Sequence, residues 1–256
     1  MKPYDELNDK LIQKKYNIRL KDIVRSFTKE LFYYLFDSDE EELKCLEKTF
    51  LKIANNFQIE NAESVWDEFQ NKFQTLREKL DLDANAVVNF DPATKSLEEV
   101  YMACPGFYAI SIYRLSHELY VQNVPIIPRM MSEYAHGKTG IDIHPGATIG
   151  DSFFVDHGTG IVIGETSIIK NNVKIFQGVT LGGIQVKKSM ESTKRHPTIE
   201  DNVTIYANAT ILGGDIVIGA NSTIGANVWI TQSVPKSSLV TYQTEIKIRP
   251  KKNGIR

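Results

Sequence analysis

Residues 141–164 read IDIHPGATIGDSFFVDHGTGIVIG, and an aliphatic residue returns at every sixth position of this stretch from Ile143 onward. The same spacing continues, after a shift of two residues, as far as Leu181, and it resumes from Ile199 to Ile230 with a second shift of one residue. A period of six matches neither the 3.6-residue repeat of an α-helix nor the two-residue alternation of a simple strand. It is typical of hexapeptide repeats, which wind into a parallel β-helix with the aliphatic residue pointing inward.

The in-phase positions are numerous enough to decide between two interpretations. Fourteen aliphatic residues share the register: Ile143, Ile149, Val155, Ile161, Ile163, Ile169, Ile175, Leu181, Ile199, Ile205, Ile211, Ile218, Ile224 and Ile230. A run of ordinary strands rich in Ile and Val is the alternative, but so many in-phase positions with only two small shifts favour the repeat. Small and turn-forming residues between them suit the corners of a coil.

The composition is that of an ordinary globular protein and excludes several classes of function. The chain has 256 residues, of which 42% are hydrophobic and 24% are charged, and its net charge is −2. That charge offers no general attraction to nucleic acid or to an anionic membrane, so we expect neither as a partner. Two cysteines without CxxC spacing, no apolar signal core and no run of membrane-spanning length predict a soluble, cytoplasmic protein.

Helices are predicted for the first 138 residues. Apolar stripes with spacings of three and four residues lie within residues 21–37, 40–57 and 62–80, and we interpret them as core-facing. The stretch 85–94 interrupts this pattern. We therefore expect residues 1–138 to form an all-helical N-terminal domain, whose apolar stripes pack within the domain or against a copy of it.

Two local signals mark where helices begin in the second half of that domain. Ser96 and Glu99 have the spacing of a capping box. Pro105 suits the first turn of a helix, which we expect to run to about Gln122.

The remaining residues, 139–256, are expected to form the β-helix domain. In-phase positions between Leu181 and Ile199 would be Lys187 and Thr193, which cannot fill the inside of a coil. We therefore predict that residues 184–196 form a loop extruded from the coil, and long loops on a rigid scaffold are often functional. The chain ends in a basic tail.

A few polar residues stand out against the small residues of the repeats. Asp142 opens the repeat region, Asp156-His157 follows one coil later, and Arg195-His196 closes the extruded loop. Each has an ordinary alternative, since Asp156 suits a turn cap, His157 a surface imidazole, and Arg195 a solvated loop tip. Asp91 before a proline is more often a turn or cap residue than a ligand-binding one. The residue types alone leave catalysis at His157 open.

Four motifs together resemble the serine acetyltransferase family. They are DIHPGATIG at 142–150, DHGTGIVIGET at 156–166, VTLGG at 179–183 and the loop end RHPTI at 195–199. Asp-Pro-Ala at 91–93 and the helical N-terminal part resemble the family as well, and the match is strong from about residue 90 to 230. The resemblance implies an α+β protein in which a left-handed parallel β-helix follows the helical domain. It also implies active sites between the coils of a homotrimer, with two trimers joined through their helical domains.

The resemblance implies that acetyl-CoA donates an acetyl group to the hydroxyl of L-serine. The products are O-acetyl-L-serine and CoA, the reaction belongs to cysteine biosynthesis, and the transfer is direct and assisted by a general base, with no metal. His157 matches the base and Asp142 the carboxylate that orients it. The other matched positions are Asp91 and Asp156 for the amino group of serine, Arg195 and His196 for its carboxylate, and Gly182, Gly183, Ala207 and Ala226 beside the pantetheine arm.

The resemblance also bears on partners. L-cysteine is expected as a possible feedback inhibitor. Relatives that dock O-acetylserine sulfhydrylase usually end in isoleucine, whereas this chain ends in Gly254-Ile255-Arg256, and this difference weakens the case for a complex with that enzyme. Family members also carry Gly-Val-Pro-Ala-Arg after the last coil, where this chain has residues 242–249, YQTEIKIR, and that departure leaves the CoA contacts from this end undefined.

Three other functions are compatible with a β-helix. A hexapeptide-repeat acyltransferase for sugars or xenobiotics is opposed by the Asp-His and Arg-His pairs and the helical domain. A γ-type carbonic anhydrase needs three histidine ligands for zinc, and the histidines of this chain are His117, His136, His144, His157 and His196. A catalytically silent scaffold is opposed by the full set of polar exceptions.

Overall fold

The computed structural model describes residues 16–37, 39–184 and 193–243. Seven helices precede the first strand in these ranges: α1 (Leu20–Phe36), α2 (Glu40–Asn56), α3 (Ala62–Gln70), α4 (Phe73–Phe90), α5 (Leu97–Ala103), α6 (Pro105–Val121) and α7 (Ile127–Thr139). None of the helices in the described ranges is both long enough and apolar enough to cross a membrane.

The predicted apolar stripes form the core of the helical part. Phe27, Phe50 and Trp66 are fully buried, with ring centroids of Phe50 and Trp66 5.5 Å apart. Phe69 and Phe73 continue this aromatic cluster, with centroids 4.9 Å apart and rings nearly perpendicular. Burial of each such side chain stabilises the fold by roughly 1.5–3 kcal/mol relative to exposure.

The two local start signals are confirmed. Ser96 caps α5 and accepts a hydrogen bond from the Glu99 amide at 3.2 Å, while a Glu99 carboxylate oxygen accepts one from the Lys95 amide at 2.9 Å. Pro105 is the first residue of α6, where its missing N–H costs nothing.

The prediction for residues 62–94 is wrong in two respects. The stripe at 62–80 belongs to two helices, because α3 ends at Gln70 and α4 begins at Phe73. The expected interruption from residue 85 does not occur, because α4 continues to Phe90. Burial of Ala84, Ala86 and Val87 against the rest of the protein maintains the helix where the sequence pattern weakens.

Two residues separate the end of α7 from the first strand of the β-helix. Its fourteen strands in the described ranges are β1 (Asp142–Ile143), β2 (Thr148–Ile149), β3 (Phe154–Asp156), β4 (Val162–Ile163), β5 (Ile168–Ile169), β6 (Lys174–Phe176), β7 (Thr180–Gly182), β8 (Thr198–Ile199), β9 (Thr204–Ile205), β10 (Thr210–Leu212), β11 (Val217–Ile218), β12 (Thr223–Ile224), β13 (Trp229–Ile230) and β14 (Leu239–Val240). They form three parallel sheets, and the predicted combination of a helical domain with a left-handed parallel β-helix is confirmed.

Each sheet is one face of a triangular coil. Face A contains β1, β4, β7, β10 and β13 in that order, face B contains β2, β5, β8 and β11, and face C contains β3, β6, β9, β12 and β14. The in-phase aliphatic residues stack in columns inside the coil, as in the series Ile143, Ile163, Leu181, Ile211 and Ile230 on face A. All residues of this series are buried.

Both shifts of the register fall at corners. The two-residue shift lies between β3 and β4, where His157, Gly158 and Gly160 have positive φ angles. Ile161 therefore precedes β4 rather than occupying a strand column, although it is fully buried. The one-residue shift lies after β10, where Gly213 has a φ of 122°, a conformation that glycine adopts without steric cost.

A buried ion pair ties the helices to the first coil. Arg114 on α6 donates two hydrogen bonds, at 2.6 and 2.9 Å, to the carboxylate of Asp83 on α4. The same guanidinium donates to the Gly150 carbonyl at 2.8 Å, and the Phe153 amide donates to Asp83 at 2.8 Å. Because both side chains are buried, loss of one partner would cost about 3–5 kcal/mol. The pair therefore fixes the position of the helical part on the coil.

Candidate active site

Three predicted site residues meet at the corner between face C and face A, here termed the C–A corner. Asp156 ends β3, and His157 begins the turn with a φ of 56°. The Nε2 atom of the exposed His157 side chain lies 3.8 Å from Oδ1 of Asp156. Asp91, at the end of α4, is close enough for the charge of His157 to act on its carboxyl group.

The carboxylate of Asp91 is held in its ionised form by its own turn. It accepts hydrogen bonds from the Ala93 amide and from the Thr94 hydroxyl, both at 2.8 Å. These bonds lower the pKa of Asp91, and the neighbouring His157 lowers it further. The corner therefore presents an anionic surface that suits a small cation such as an ammonium group.

The predicted alanines lie in the same corner, further along the coil. The strand register aligns Val155, Ile175, Ile205 and Ile224. The residues two positions later, His157, Gln177, Ala207 and Ala226, therefore form a column with a spacing of about 5 Å per coil. Gln177 follows His157 in this column, and the small side chains of Ala207 and Ala226 line the next two coils of the C–A corner.

Asp142 lies one coil below this corner. The Gly160 amide donates to the Gly140 carbonyl at 2.8 Å, and the Asp142 amide donates to the Ile161 carbonyl at 2.9 Å. No hydrogen bond or ion pair joins the side chains of Asp142 and His157 in the part of the chain that the structure describes. The orienting role of Asp142 stays a prediction.

The remaining predicted residues lie at the corner between face A and face B, here termed the A–B corner. Gly182 follows Leu181 in the column that also contains His144 and Gly164, and Gly183 comes next. Arg195 and His196 lie beside Thr166 of the preceding coil, with their amides donating to the Thr166 hydroxyl at 2.9 and 3.1 Å.

His196 is held as a neutral imidazole. Its Nδ1 accepts a hydrogen bond from the Thr166 amide at 3.0 Å, so the ring proton is on Nε2. Burial, with a smaller effect of the Arg195 charge, lowers the pKa of His196 to about 4. The side chain is therefore a hydrogen-bond donor at neutral pH.

Arg195 forms an ion pair with Glu165. Its guanidinium donates to Glu165, and the other carboxylate oxygen of Glu165 accepts a hydrogen bond from the Tyr120 hydroxyl at 2.8 Å. Burial raises the pKa of Glu165, but the hydrogen bonds from Tyr120 and Arg195 outweigh it and lower that pKa overall. Tyr120 belongs to α6, so the helical part helps to fix the position of Arg195.

The predicted extruded loop is only partly within the described residues. Residues 185–192 lie outside them, while residues 193–196 are folded against the A–B corner. The Lys194 ammonium donates to the carbonyls of Thr166 at 3.1 Å and His196 at 2.6 Å. This lysine therefore anchors the end of the loop.

Known proteins with similar sequences or structures agree on one family. A family model described as "Bacterial transferase hexapeptide (six repeats)" matches residues 196–232. A serine acetyltransferase of Entamoeba histolytica, isoform 3, solved in complex with cysteine, is 36% identical and has a TM-score of 0.79, and the match covers 94% of this chain and 86% of that one. The chain belongs to the serine acetyltransferase family.

Other serine acetyltransferases are similar over different lengths. The plasmid serine acetyltransferase of Synechococcus elongatus is 45% identical over 193 residues, which are 73% of this chain and 60% of that protein. The Bacillus subtilis serine acetyltransferase is 48% identical over 130 residues, 51% of this chain and 56% of that protein. The chain thus spans less than two thirds of these two relatives. A Neisseria gonorrhoeae serine acetyltransferase, solved in complex with serine, is 27% identical with a TM-score of 0.65, over 93% of this chain and 87% of that one.

Several residues of this family member were not singled out from its sequence. Thr94 and Cys104 adjoin the C–A corner, and burial together with the carboxylates of Asp91 and Asp156 raises the pKa of the Cys104 thiol. Glu165 and Thr166 lie within a quoted motif, which is the signal that would have found them. Tyr120 reaches its partner across 45 residues of sequence, and no local signal marks it.

One group of side chains has the composition of a metal site. Ligand atoms of Glu133, His136 and Asp142 lie within 4.8 Å of one another. Glu133 already forms an ion pair with Arg129, and its second oxygen lies 3.4 Å from Nδ1 of His136. These contacts account for the group without an ion, and we assign no metal to it.

Proposed function

We propose that this protein is a serine O-acetyltransferase, which transfers the acetyl group of acetyl-CoA to the hydroxyl of L-serine. Membership of the family supports this reaction. The observation that carries the proposal is the C–A corner, where an exposed imidazole lies beside two carboxylates and where Ala207 and Ala226 follow two and three coils further along.

The residues of the C–A corner match the first step of this chemistry. The carboxylates of Asp91 and Asp156 bind the ammonium group of serine, which places the serine hydroxyl near His157. The neutral imidazole takes the hydroxyl proton as the oxygen attacks the thioester carbonyl. We assign to Asp142 the role of holding the opposite ring nitrogen of His157 protonated.

The second step returns the proton. The tetrahedral intermediate breaks its C–S bond, and the CoA sulfur takes the proton from the imidazolium of His157. The products are O-acetyl-L-serine and CoA, and His157 is neutral again. No acetyl-enzyme is needed, so both substrates are bound together. The pantetheine arm lies against Ala207 and Ala226, where small side chains allow close approach.

The carboxylate of serine requires the other corner. We propose that Arg195 offers its planar guanidinium and His196 its Nε2–H to this carboxylate. These residues lie at the far edge of face A from His157 in the same chain. A complete site therefore combines the C–A corner of one copy with the A–B corner of another, in a homotrimer or a dimer of trimers.

The decisive experiment measures thiol release from acetyl-CoA by the purified protein. Release should depend on L-serine, and mass spectrometry should detect O-acetyl-L-serine. Parallel reactions with sugar and xenobiotic hydroxyl compounds are the control. Thiol release with one of these acceptors but not with serine would overturn the proposal in favour of another acyltransferase.

We further propose that L-cysteine inhibits by competing with L-serine. The two amino acids differ by one atom in the side chain and share the ammonium and carboxylate groups that Asp91, Asp156, Arg195 and His196 would bind. Solved relatives in complex with cysteine support this proposal. Initial rates at several cysteine concentrations should show inhibition that excess serine relieves, whereas inhibition unaffected by serine would contradict it.

A further inference from the structure

Two aromatic rings are stacked on the outer side of face C. The strand register aligns five outward-pointing positions in one column: Asp156, Phe176, Tyr206, Gly225 and Thr241. The ring centroids of Phe176 and Tyr206 are 4.9 Å apart, and the ring planes meet at 25°. Phe154 of the first coil contacts Phe176 edge to face, with centroids 6.5 Å apart. Phe176 is therefore fixed by the first coil and covers one face of the Tyr206 ring.

The opposite face of the Tyr206 ring is open. Tyr206 is 42% exposed, and within the described ranges no aromatic ring other than Phe176 packs against it. Gly225 occupies the same position of the next coil, where a Cβ atom would lie 2.8 Å from the Val240 carbonyl oxygen, so no side chain fits there. The next side chain of the column, Thr241, is two coils from Tyr206, or about 10 Å. Because stacked rings have centroids about 4.5–7 Å apart, the space above Gly225 holds one planar ring.

This open space adjoins the C–A corner, because Tyr206 directly precedes Ala207. Under the proposed function, the pantetheine arm lies against Ala207 and Ala226, which are two and three coils beyond His157. The arm therefore extends about 10–15 Å from the reacting thioester along the corner. The diphosphate that follows the arm allows the nucleoside to turn back onto the outer side of face C. Adenine is the aromatic part of acetyl-CoA, and it is planar.

We propose that Tyr206 stacks on the adenine ring of acetyl-CoA, which fills the space above Gly225. This inference rests on the proposed function, because it takes acetyl-CoA as the ligand of the C–A corner. A nucleic-acid base stacks on an aromatic side chain through its π face. The stack on Phe176 holds the Tyr206 ring in place before the ligand arrives, so little side-chain entropy is lost on binding. Tyr206 thus determines specificity for the nucleotide part of the acyl donor and takes no part in the acetyl transfer itself.

Isothermal titration calorimetry with CoA, in the absence of serine, tests the stack. In Tyr206→Ala we expect the Kd for CoA to rise roughly tenfold, as for the loss of one base–aromatic stack. Tyr206→Phe keeps the ring and should keep the wild-type Kd. Leu239→Ala is the matched control, because Leu239 is 71% exposed and also points outward from face C, but from the neighbouring column. Its Kd should equal that of the wild type.

A truncated acyl donor excludes a general disturbance of the corner. S-acetylpantetheine carries the acetyl thioester but no adenine. Serine-dependent thiol release by Tyr206→Ala should show a kcat/KM lowered roughly tenfold for acetyl-CoA, but unchanged for S-acetylpantetheine. An equal loss with both donors would overturn the proposal, as would a wild-type Kd for CoA in Tyr206→Ala. A Tyr206→Phe variant as weak as Tyr206→Ala would also overturn it, because the ring alone makes the proposed contact.

Binding and turnover together separate this inference from the proposed function. A wild type that binds CoA through Tyr206 but acetylates no serine would support the stack and reject the acceptor. Serine acetylation by Tyr206→Ala with wild-type kinetics would support the proposed function and overturn the stack. Adenosine 3′,5′-bisphosphate, which has the adenine but no pantetheine arm, should displace CoA from the wild type at lower concentration than from Tyr206→Ala. Equal displacement from the two proteins would contradict an adenine site at Tyr206.

Discussion

The backbone of His157 explains why its imidazole is available to a substrate. The residue adopts a left-handed conformation with φ of 56°, which costs a non-glycine residue about 1–2 kcal/mol. Asp156 ends its strand just before this turn, so the chain changes direction at His157 and the side chain points into solvent. The imidazole is exposed, so side-chain packing does not account for the strained backbone conformation of His157. Strained residues of this kind cluster at functional sites, which is compatible with a functional role for His157.

Replacement of His157 by alanine should therefore impair the chemical step alone. In His157→Ala we expect kcat to fall by roughly 10²–10⁴-fold, because the serine hydroxyl then loses its general base. Binding of acetyl-CoA, measured by isothermal titration calorimetry, should stay near the wild-type affinity. Asp142→Asn should lower kcat less, since the base stays in place. Near-normal turnover of His157→Ala would refute the assignment and make His196 the next candidate.

The pKa of His196 makes a separate prediction about acid. Its value of about 4 in the folded protein lies below the ordinary value of 6.5. The unfolded chain therefore binds a proton on this residue at a higher pH than the folded chain does. The stability that the neutral imidazole contributes is fully present above about pH 6.5 and is lost as the pH falls toward 4.

Nuclear magnetic resonance can follow this proton directly. One imidazole resonance, identified because it disappears in His196→Gln, should stay constant from pH 8 to pH 6 and shift only as the pH approaches about 4. The free energy of unfolding should also fall less steeply below pH 6.5 in His196→Gln than in the wild type. A midpoint near 6.5 for this resonance would show that His196 is not buried as described.

At the scale of the elements, the A–B corner depends on a glycine. A Cβ atom at Gly164 would lie 2.1 Å from Cδ2 and 2.2 Å from Nε2 of His196. The imidazole cannot move aside easily, because Thr166 holds both its backbone amide and its Nδ1 atom. The corner therefore tolerates no side chain at position 164 while His196 keeps its place.

Gly164→Ala should weaken serine binding through this contact. We expect the KM for serine to rise roughly tenfold, the equivalent of losing one hydrogen bond to a charged group worth about 1.5 kcal/mol. Steady-state kinetics with acetyl-CoA in excess measures it. Gly137→Ala is the matched control, because a Cβ atom there meets nothing within 4 Å. An unchanged KM in Gly164→Ala would show that His196 does not contact serine.

At the scale of the whole molecule, the arrangement of the two corners predicts complementation. His157→Ala impairs the C–A corner and Arg195→Ala impairs the A–B corner, so an oligomer made of either variant alone lacks a complete site. In an oligomer that contains both variants, an Arg195→Ala chain still offers His157, and a His157→Ala chain still offers Arg195. Random mixing in equal amounts should restore about one quarter of the wild-type sites.

Co-expression of the two variants with different affinity tags measures this effect. Oligomers purified through both tags contain both variants, and they should acetylate serine far faster than either variant alone. The control is a mixture of the two variant proteins after separate expression and purification, so that each oligomer contains only one variant. A site shared between copies would be contradicted if the activity of the doubly tagged oligomers were no greater than the summed activities of the two variants.

The sequence by itself determined the β-helix, because each coil repeats the same local requirement. An aliphatic residue must fill the inside at every strand, so the six-residue period survives in the sequence wherever the coil continues. The two shifts of the period even marked corners, and one of them contains His157. The motifs around residues 142, 156 and 195 likewise indicated the family.

Only the tertiary structure decided which of these residues lie together. The helix boundary after Gln70 and the continuation of α4 to Phe90 depend on burial against distant segments, which local periodicity does not record. The bond from Tyr120 to Glu165 and the ion pair of Asp83 with Arg114 join residues 45 and 31 positions apart. Likewise, the division of the predicted site between two corners follows from the triangular coil. A linear spacing contains no information about which corner a residue occupies until the register of every coil is known.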